Sequence, residues 1–92
     1  MSLFAVQYFY AGDPDAMAEV RPTHVEFLRS LHESGALRVS GPADGGTSAL
    51  LIFQAESKEE LEKTLNEDPF WTAGFIGERP IREWNPFFGS IN

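Results

Sequence analysis

Leu3-Phe4-Ala5-Val6-Gln7-Tyr8-Phe9-Tyr10-Ala11-Gly12-Asp13-Pro14 is the stretch that decides the fold. Leu3 to Tyr10 is rich in the aromatic and β-branched residues that suit a pleated strand. Ala11-Gly12 ends it, and Asp13-Pro14 starts a helix, with Asp as N-cap and Pro in the first turn. The strand does not alternate apolar and polar. Phe4, Val6, Tyr8 and Tyr10 fall on one side and Leu3, Ala5 and Phe9 on the other, with Gln7 the one polar residue. A strand with two apolar faces needs two covers.

Reading outward, the first helix runs to about Ser34 and is closed by Gly35. Pro22 interrupts it, so the helix either kinks there or restarts there. Ala36 to Pro42 and Ser48 to Ala55 are strands joined as a hairpin through Asp44-Gly45-Gly46-Thr47. Ala49, Leu51 and Phe53 oppose Leu50 and Ile52, again with both faces apolar. Ser57-Lys58-Glu59-Glu60 is a capping box opening a second helix to about Asn66. Asp68-Pro69 starts a further helical turn through Ala73, ended by Gly74. Arg79 to Trp84 is expected as the fourth strand, and Asn85 to Asn92 as a tail with Phe87, Phe88 and Ile91.

The order is β-α-β-β-α-β, so the expected class is α+β and ferredoxin-like: one antiparallel sheet with both helices on one face. The other face is most simply covered by a second subunit, sheet against sheet, closing a barrel across a two-fold axis. The apolar tail is a further surface for a partner, unless it folds back on its own sheet.

The chain has 92 residues, one domain's worth, with 42% hydrophobic and 13% aromatic content, which excludes disorder. Its net charge of -7 disfavours phosphate backbones and anionic membranes as partners. There is no cysteine, which excludes disulfides, thiolate metal sites and thiol nucleophiles. No apolar run approaches membrane-spanning length, and the amino-terminal residues show no basic n-region and no small-residue cleavage site, so no signal peptide is expected. A cytoplasmic location is expected.

On a wheel of about 100° per residue, His24 sits mid-stripe among Val20, Phe27, Leu28 and Leu31, while Glu26, Arg29, Ser30 and Glu33 lie opposite. An imidazole there needs a hydrogen-bond partner. Asp68 falls seven residues after Leu61, and so, if helical phase persists, on the inward stripe that Leu61, Thr64 and Leu65 form. A carboxylate meeting His24 would fix its tautomer and raise its basicity, making a general base. Asp68 also reads as an ordinary N-cap, and His24 as a satisfied core histidine. Phe70, Trp71, Phe75, Tyr8 and Tyr10 can line a ligand pocket or serve as core and dimer contacts. Arg21 lies at the rim, placed either to meet an anionic group or to stay solvated. His32 is on the flank. The spacing of His24, His32, Glu67 and Asp68 fits no metal site. The glycines of Gly41-Pro42 and Gly45-Gly46 are turn chemistry rather than a phosphate loop.

Arg21-Pro22-Thr23-His24, then Leu28, Leu31-His32, Gly35, Leu37 and Gly41-Pro42, followed by Asp68-Pro69-Phe70 and Gly74, resembles the YciI-like (YCII-related) family over nearly the whole chain. The resemblance implies a dimeric α+β barrel of the muconolactone-isomerase-like kind, with an active site on a histidine and an aspartate that map onto His24 and Asp68. Related barrels carry isomerase, lyase, dehalogenation and monooxygenase chemistry on small, often ring-derived compounds. The connection Ala43 to Ser48 is shorter than in many members, which leaves less chain to cover a pocket. The reading is a cofactor-free lyase or isomerase in which His24 and Asp68 are catalytic and Arg21, Tyr8, Phe70 and Trp71 bind a small-molecule substrate. A non-catalytic small-ligand-binding or accessory domain is the alternative, and a purely structural tie between His24 and Asp68 a third.

Overall fold

The computed structural model describes residues 1–91 of the chain, so the expected tail is described except for Asn92. β1 (Ser2–Tyr10) leads into α1 (Pro14–Ser34), then β2 (Leu37–Ala43), β3 (Ser48–Ala55), α2 (Lys58–Leu65), α3 (Pro69–Thr72), β4 (Ile76–Glu78) and β5 (Ile81–Glu83). The sheet runs β2-β3-β1-β4, with β5 also on β1, and every pairing is antiparallel. This is the ferredoxin-like α+β order.

Local chemistry starts the first two helices where expected. The Asp13 side chain accepts from the Ala16 N–H at 3.0 Å, and Ser57 accepts from the Glu60 N–H at 3.1 Å. The hairpin between β2 and β3 turns through Asp44, Gly45 and Gly46 at φ 51°, 68° and 91°. Glycine reaches that left-handed region without penalty and Asp tolerates it, so Asp-Gly-Gly permits so short a reversal.

Two expectations are settled at prolines. α1 runs unbroken through Pro22, so the helix does not restart there. The missing N–H forfeits one backbone bond to Ala18, and the exposed Thr23 hydroxyl donates to the Val20 carbonyl at 3.1 Å. The fourth strand, expected from Arg79 to Trp84, is instead two short strands, β4 and β5, separated at Arg79-Pro80. Pro80 has no N–H to give the ladder, so pairing breaks there. Its carbonyl still accepts from the Gln7 N–H at 3.1 Å, which keeps both halves against β1.

The core lies between the sheet and the helices: Phe4, Val6 and Tyr8 of β1, Leu51 and Phe53 of β3, Leu61 and Leu65 of α2, and Phe70 of α3. The opposite sheet face is largely open. Phe9, Val39 and Leu50 are 39%, 49% and 44% exposed, although Ile52 between them is buried. The tail does not cover that face with its aromatics: Phe87 and Phe88 pack edge to face on each other at 4.8 Å and are otherwise exposed.

Candidate active site

Helix phase carries His24 inward. In α1 only Met17 and His24 are buried, with Val20, Phe27, Leu28 and Leu31 half-buried beside them and Glu26, Arg29, Ser30 and Glu33 exposed. Asp68 arrives from the other side. After α2 the chain makes one turn, and Asp68 caps α3 by accepting the Phe70 N–H on Oδ1 at 2.9 Å. α1 packs against α3, so cap and imidazole meet: His24 Nδ1 lies 2.8 Å from the same Oδ1. The other carboxylate oxygen, Oδ2, accepts from the Tyr8 hydroxyl at 3.2 Å. Asp68 is therefore both an N-cap and the partner of His24, and it is completely buried.

The donors fix the protonation pattern. The Phe70 N–H can only donate. Burial foremost, then the neighbouring Asp68 carboxylate and its hydrogen bond, pushes the Tyr8 hydroxyl far above the usual phenol range, so it too remains a donor. A carboxylate engaged by these two as acceptor also accepts from His24, which places the imidazole proton on Nδ1. In the neutral ring Nε2 then carries the lone pair. Among the described residues Nε2 has no hydrogen-bond partner, and it is not sealed from solvent. The ring is further held by face-to-face stacking on Phe70, with centroids 4.0 Å apart and planes 3° from parallel.

His24 forms part of the wall of a cleft of about 650 Å³ between α1 and β2. Leu28, Leu37, Pro42 and Ala49 give it apolar surface, and Gly46 of the short hairpin turn borders it. Arg21 also lines it, with its guanidinium 5.5 Å from the Phe70 ring centroid. Tyr10 lines it too, edge-on to Phe70 at 5.9 Å. Burial raises the Tyr10 hydroxyl, and the Arg21 charge partly opposes that shift.

The other expected ligand contacts sit elsewhere. Tyr8 and Phe70 have no exposed surface; they stand behind His24 and Asp68 and hold them rather than facing the cleft. Trp71 lies under the Arg79 guanidinium at 3.8 Å, beside a different cleft of about 400 Å³ bordered by Lys58, Glu62 and Arg82. Burial lowers Arg79, whose Nη2 donates to Asn66 Oδ1 at 2.8 Å. Arg29, His32 and Arg38 line the His24 cleft without having been singled out for it. The wheel sends Arg29 away from the core and leaves His32 on the flank, and the cleft opens along that side of α1. Arg38 lines it from β2, where the register against β3 shifts between Leu37 and Val39, a feature that sequence spacing does not reveal.

A ferredoxin-like sheet with its helices on one face is the protomer fold of the dimeric α+β barrel class, and here it carries a histidine–aspartate pair beside a cleft. Within that class the chain belongs to the YCII-related domain family, which it matches over residues 1–85. It is 29% identical to Protein YciI of Escherichia coli O6:H1 (strain CFT073), covering 75% of this chain and 81% of that protein. Among solved structures it is similar to the 5-chloro-2-hydroxyhydroquinone dehydrochlorinase TftG of Burkholderia phenoliruptrix AC1100, in complex with 2,5-dihydroxybenzoquinone. There the TM-score is 0.77 at 25% identity, over 90% of this chain and 93% of that one. Muconolactone isomerase shares the fold with a TM-score of 0.75 at 20% identity, over 98% and 95% of the two chains.

Proposed function

We propose that the protein is a small-molecule enzyme catalysing a lyase or isomerase step by proton transfer, with His24 as general base and Asp68 as the group that orients it. The observation that carries this reading is the 2.8 Å bond from His24 Nδ1 to a buried carboxylate, which leaves Nε2 free beside a cleft. Nε2 takes a proton from a carbon of the bound molecule, and the Asp68 carboxylate stabilises the imidazolium so formed. In an isomerisation the proton returns to a different carbon. In an elimination the electron pair expels a leaving group from the neighbouring carbon. A positioned base of this kind contributes about 10²–10⁴-fold. The similarity to TftG, a dehydrochlorinase, supports the elimination arm. Tyr8 and Phe70 serve this site from behind, and Arg21 faces the substrate.

A second copy of the chain completes the molecule in this reading, sheet against sheet, covering Phe9, Val39 and Leu50.

The test is carbon-bound hydrogen exchange in D₂O, followed by proton NMR over a panel of small enolisable ring compounds, with chloride release from 5-chloro-2-hydroxyhydroquinone as a second readout. The wild-type protein is expected to exchange or eliminate at least one of them. His24→Ala should abolish the reaction, and Asp68→Asn should slow it about 10²-fold or more. Undiminished turnover in both folded variants overturns the proposal.

A further inference from the structure

The His24 cleft has a charge that contradicts the rest of the chain. Acidic residues outnumber Lys and Arg by 14 to 7, yet three of the five arginines, Arg21, Arg29 and Arg38, line this one cleft together with His24 and His32. Among the described residues no Asp or Glu lines it. A cationic, partly apolar concavity on an anionic surface focuses the field on a small anion and repels nothing it needs to bind.

The three arginines are not equivalent. Arg29 Nε donates to Glu26 at 3.1 Å on the exposed side of α1, and Arg38 Nη1 donates to Gln54 at 3.2 Å. Arg21 makes no hydrogen bond or ion pair among the described residues; its guanidinium lies over Phe70. That same ring carries the His24 imidazole stacked on it. Arg21 and His24 are three residues apart on one helix, so their side chains rise side by side, one turn apart. The Arg21 guanidinium and the His24 imidazole thus both lie against the buried Phe70 ring.

We infer that the cleft takes a small organic carboxylate with an apolar body, its oxyanion held by Arg21 within one helical turn of His24. A guanidinium fork matches the two oxygens of a carboxylate, and the apolar walls suit a compact carbon skeleton. This assigns a ligand class to the site of the proposed function and rests on that reading for which carbon faces His24, but not for the binding of the anion.

The experiment is titration of the full-length protein with benzoate and with benzamide, its uncharged counterpart of nearly equal shape, read by calorimetry and by backbone amide NMR. Benzoate should bind about tenfold more tightly than benzamide and shift amides of α1 and β2. Arg21→Gln should remove that preference, Arg21→Lys should restore part of it, and Arg82→Gln, an exposed arginine outside this cleft, should leave it within about twofold. Arg21 is exposed, so its variants are expected to fold. Equal binding of the two probes, or a preference that survives Arg21→Gln, overturns the inference. If that happens while deuterium exchange still depends on His24, the proposed function stands without it. If the Arg21-dependent preference appears but no compound exchanges, the carboxylate site stands and the enzyme reading falls.

Discussion

Tyr8 and Asp68, sixty positions apart in the chain, are joined by a buried hydrogen bond of 3.2 Å from the phenol to Oδ2. It ties the central strand to the cap of α3, and it occupies the carboxylate oxygen that His24 does not use. Tyr8→Phe removes the donor and leaves Oδ2 buried without a partner. The expected cost is about 1–3 kcal/mol in denaturant unfolding, with no cavity to confuse it. A variant as stable as the wild type would show that Oδ2 is satisfied in another way.

Burial of the Tyr8 phenol, reinforced by the Asp68 charge and this bond, sets an alkaline limit on stability. A tyrosine in the unfolded chain titrates near 10.0, whereas folded Tyr8 keeps its proton well above that. Above pH 10 the folded state therefore binds more protons than the unfolded state. The contribution is complete below pH 10 and is lost as pH rises toward the folded value. The expected slope is about 1.4 kcal/mol per pH unit. Unfolding curves between about pH 10 and 11.5 should fall more steeply for the wild type than for Tyr8→Phe. Parallel curves would contradict the assignment.

Asp68 performs two jobs on one oxygen, and substitutions separate them. Asp68→Asn retains a carbonyl that can cap α3 and accept from His24, so its stability should lie closer to wild type than that of Asp68→Ala. The alanine removes the cap and strands both Tyr8 and His24, at a cost of about 2–4 kcal/mol. Both should lose turnover. If Asp68→Asn unfolds as easily as Asp68→Ala, charge rather than geometry holds the site together.

Gly12 stands at the bend between β1 and α1 with φ of 125°, and a Cβ there would come within 2.9 Å of Phe75 Cδ1. Phe75 packs edge-on to Phe70, which backs the His24 ring, at 5.7 Å. Gly12→Ala should cost about 1–3 kcal/mol through backbone strain and crowding. Thermal unfolding measures this, and an unchanged midpoint would show that the bend relaxes freely.

The dimer is tested on the open sheet face. Light scattering should give twice the 10.3 kDa of one chain. Leu50→Glu should halve that mass while leaving the circular dichroism of the protomer intact, because Leu50 contributes to no protomer core. A wild-type monomer, or a dimer indifferent to Leu50→Glu, would require another cover for Phe9, Val39 and Leu50.

Much of this was legible along the chain because it rests on local rules. Asp13-Pro14, Ser57 to Glu60 and Asp68-Pro69 place helix starts through short-range hydrogen bonds, and the spacing around His24 fixes which way it points. The doubly apolar β1 and β3 announced a sheet with an unfinished face. Other features depend on long-range placement. The break at Pro80 needed the partner strand, since a proline interrupts pairing only where a ladder asks for its N–H. The direction of Tyr8 and Phe70, behind the His24–Asp68 pair instead of into the cleft, follows from packing α1 and α3 over β1. Trp71 took the opposite side of a short helix, where the wheel of four residues had no predictive reach. The cationic cleft was the least visible of all: Arg21 and Arg38 belong to different elements, and only the packing of α1 against β2 brings their charges into one concavity.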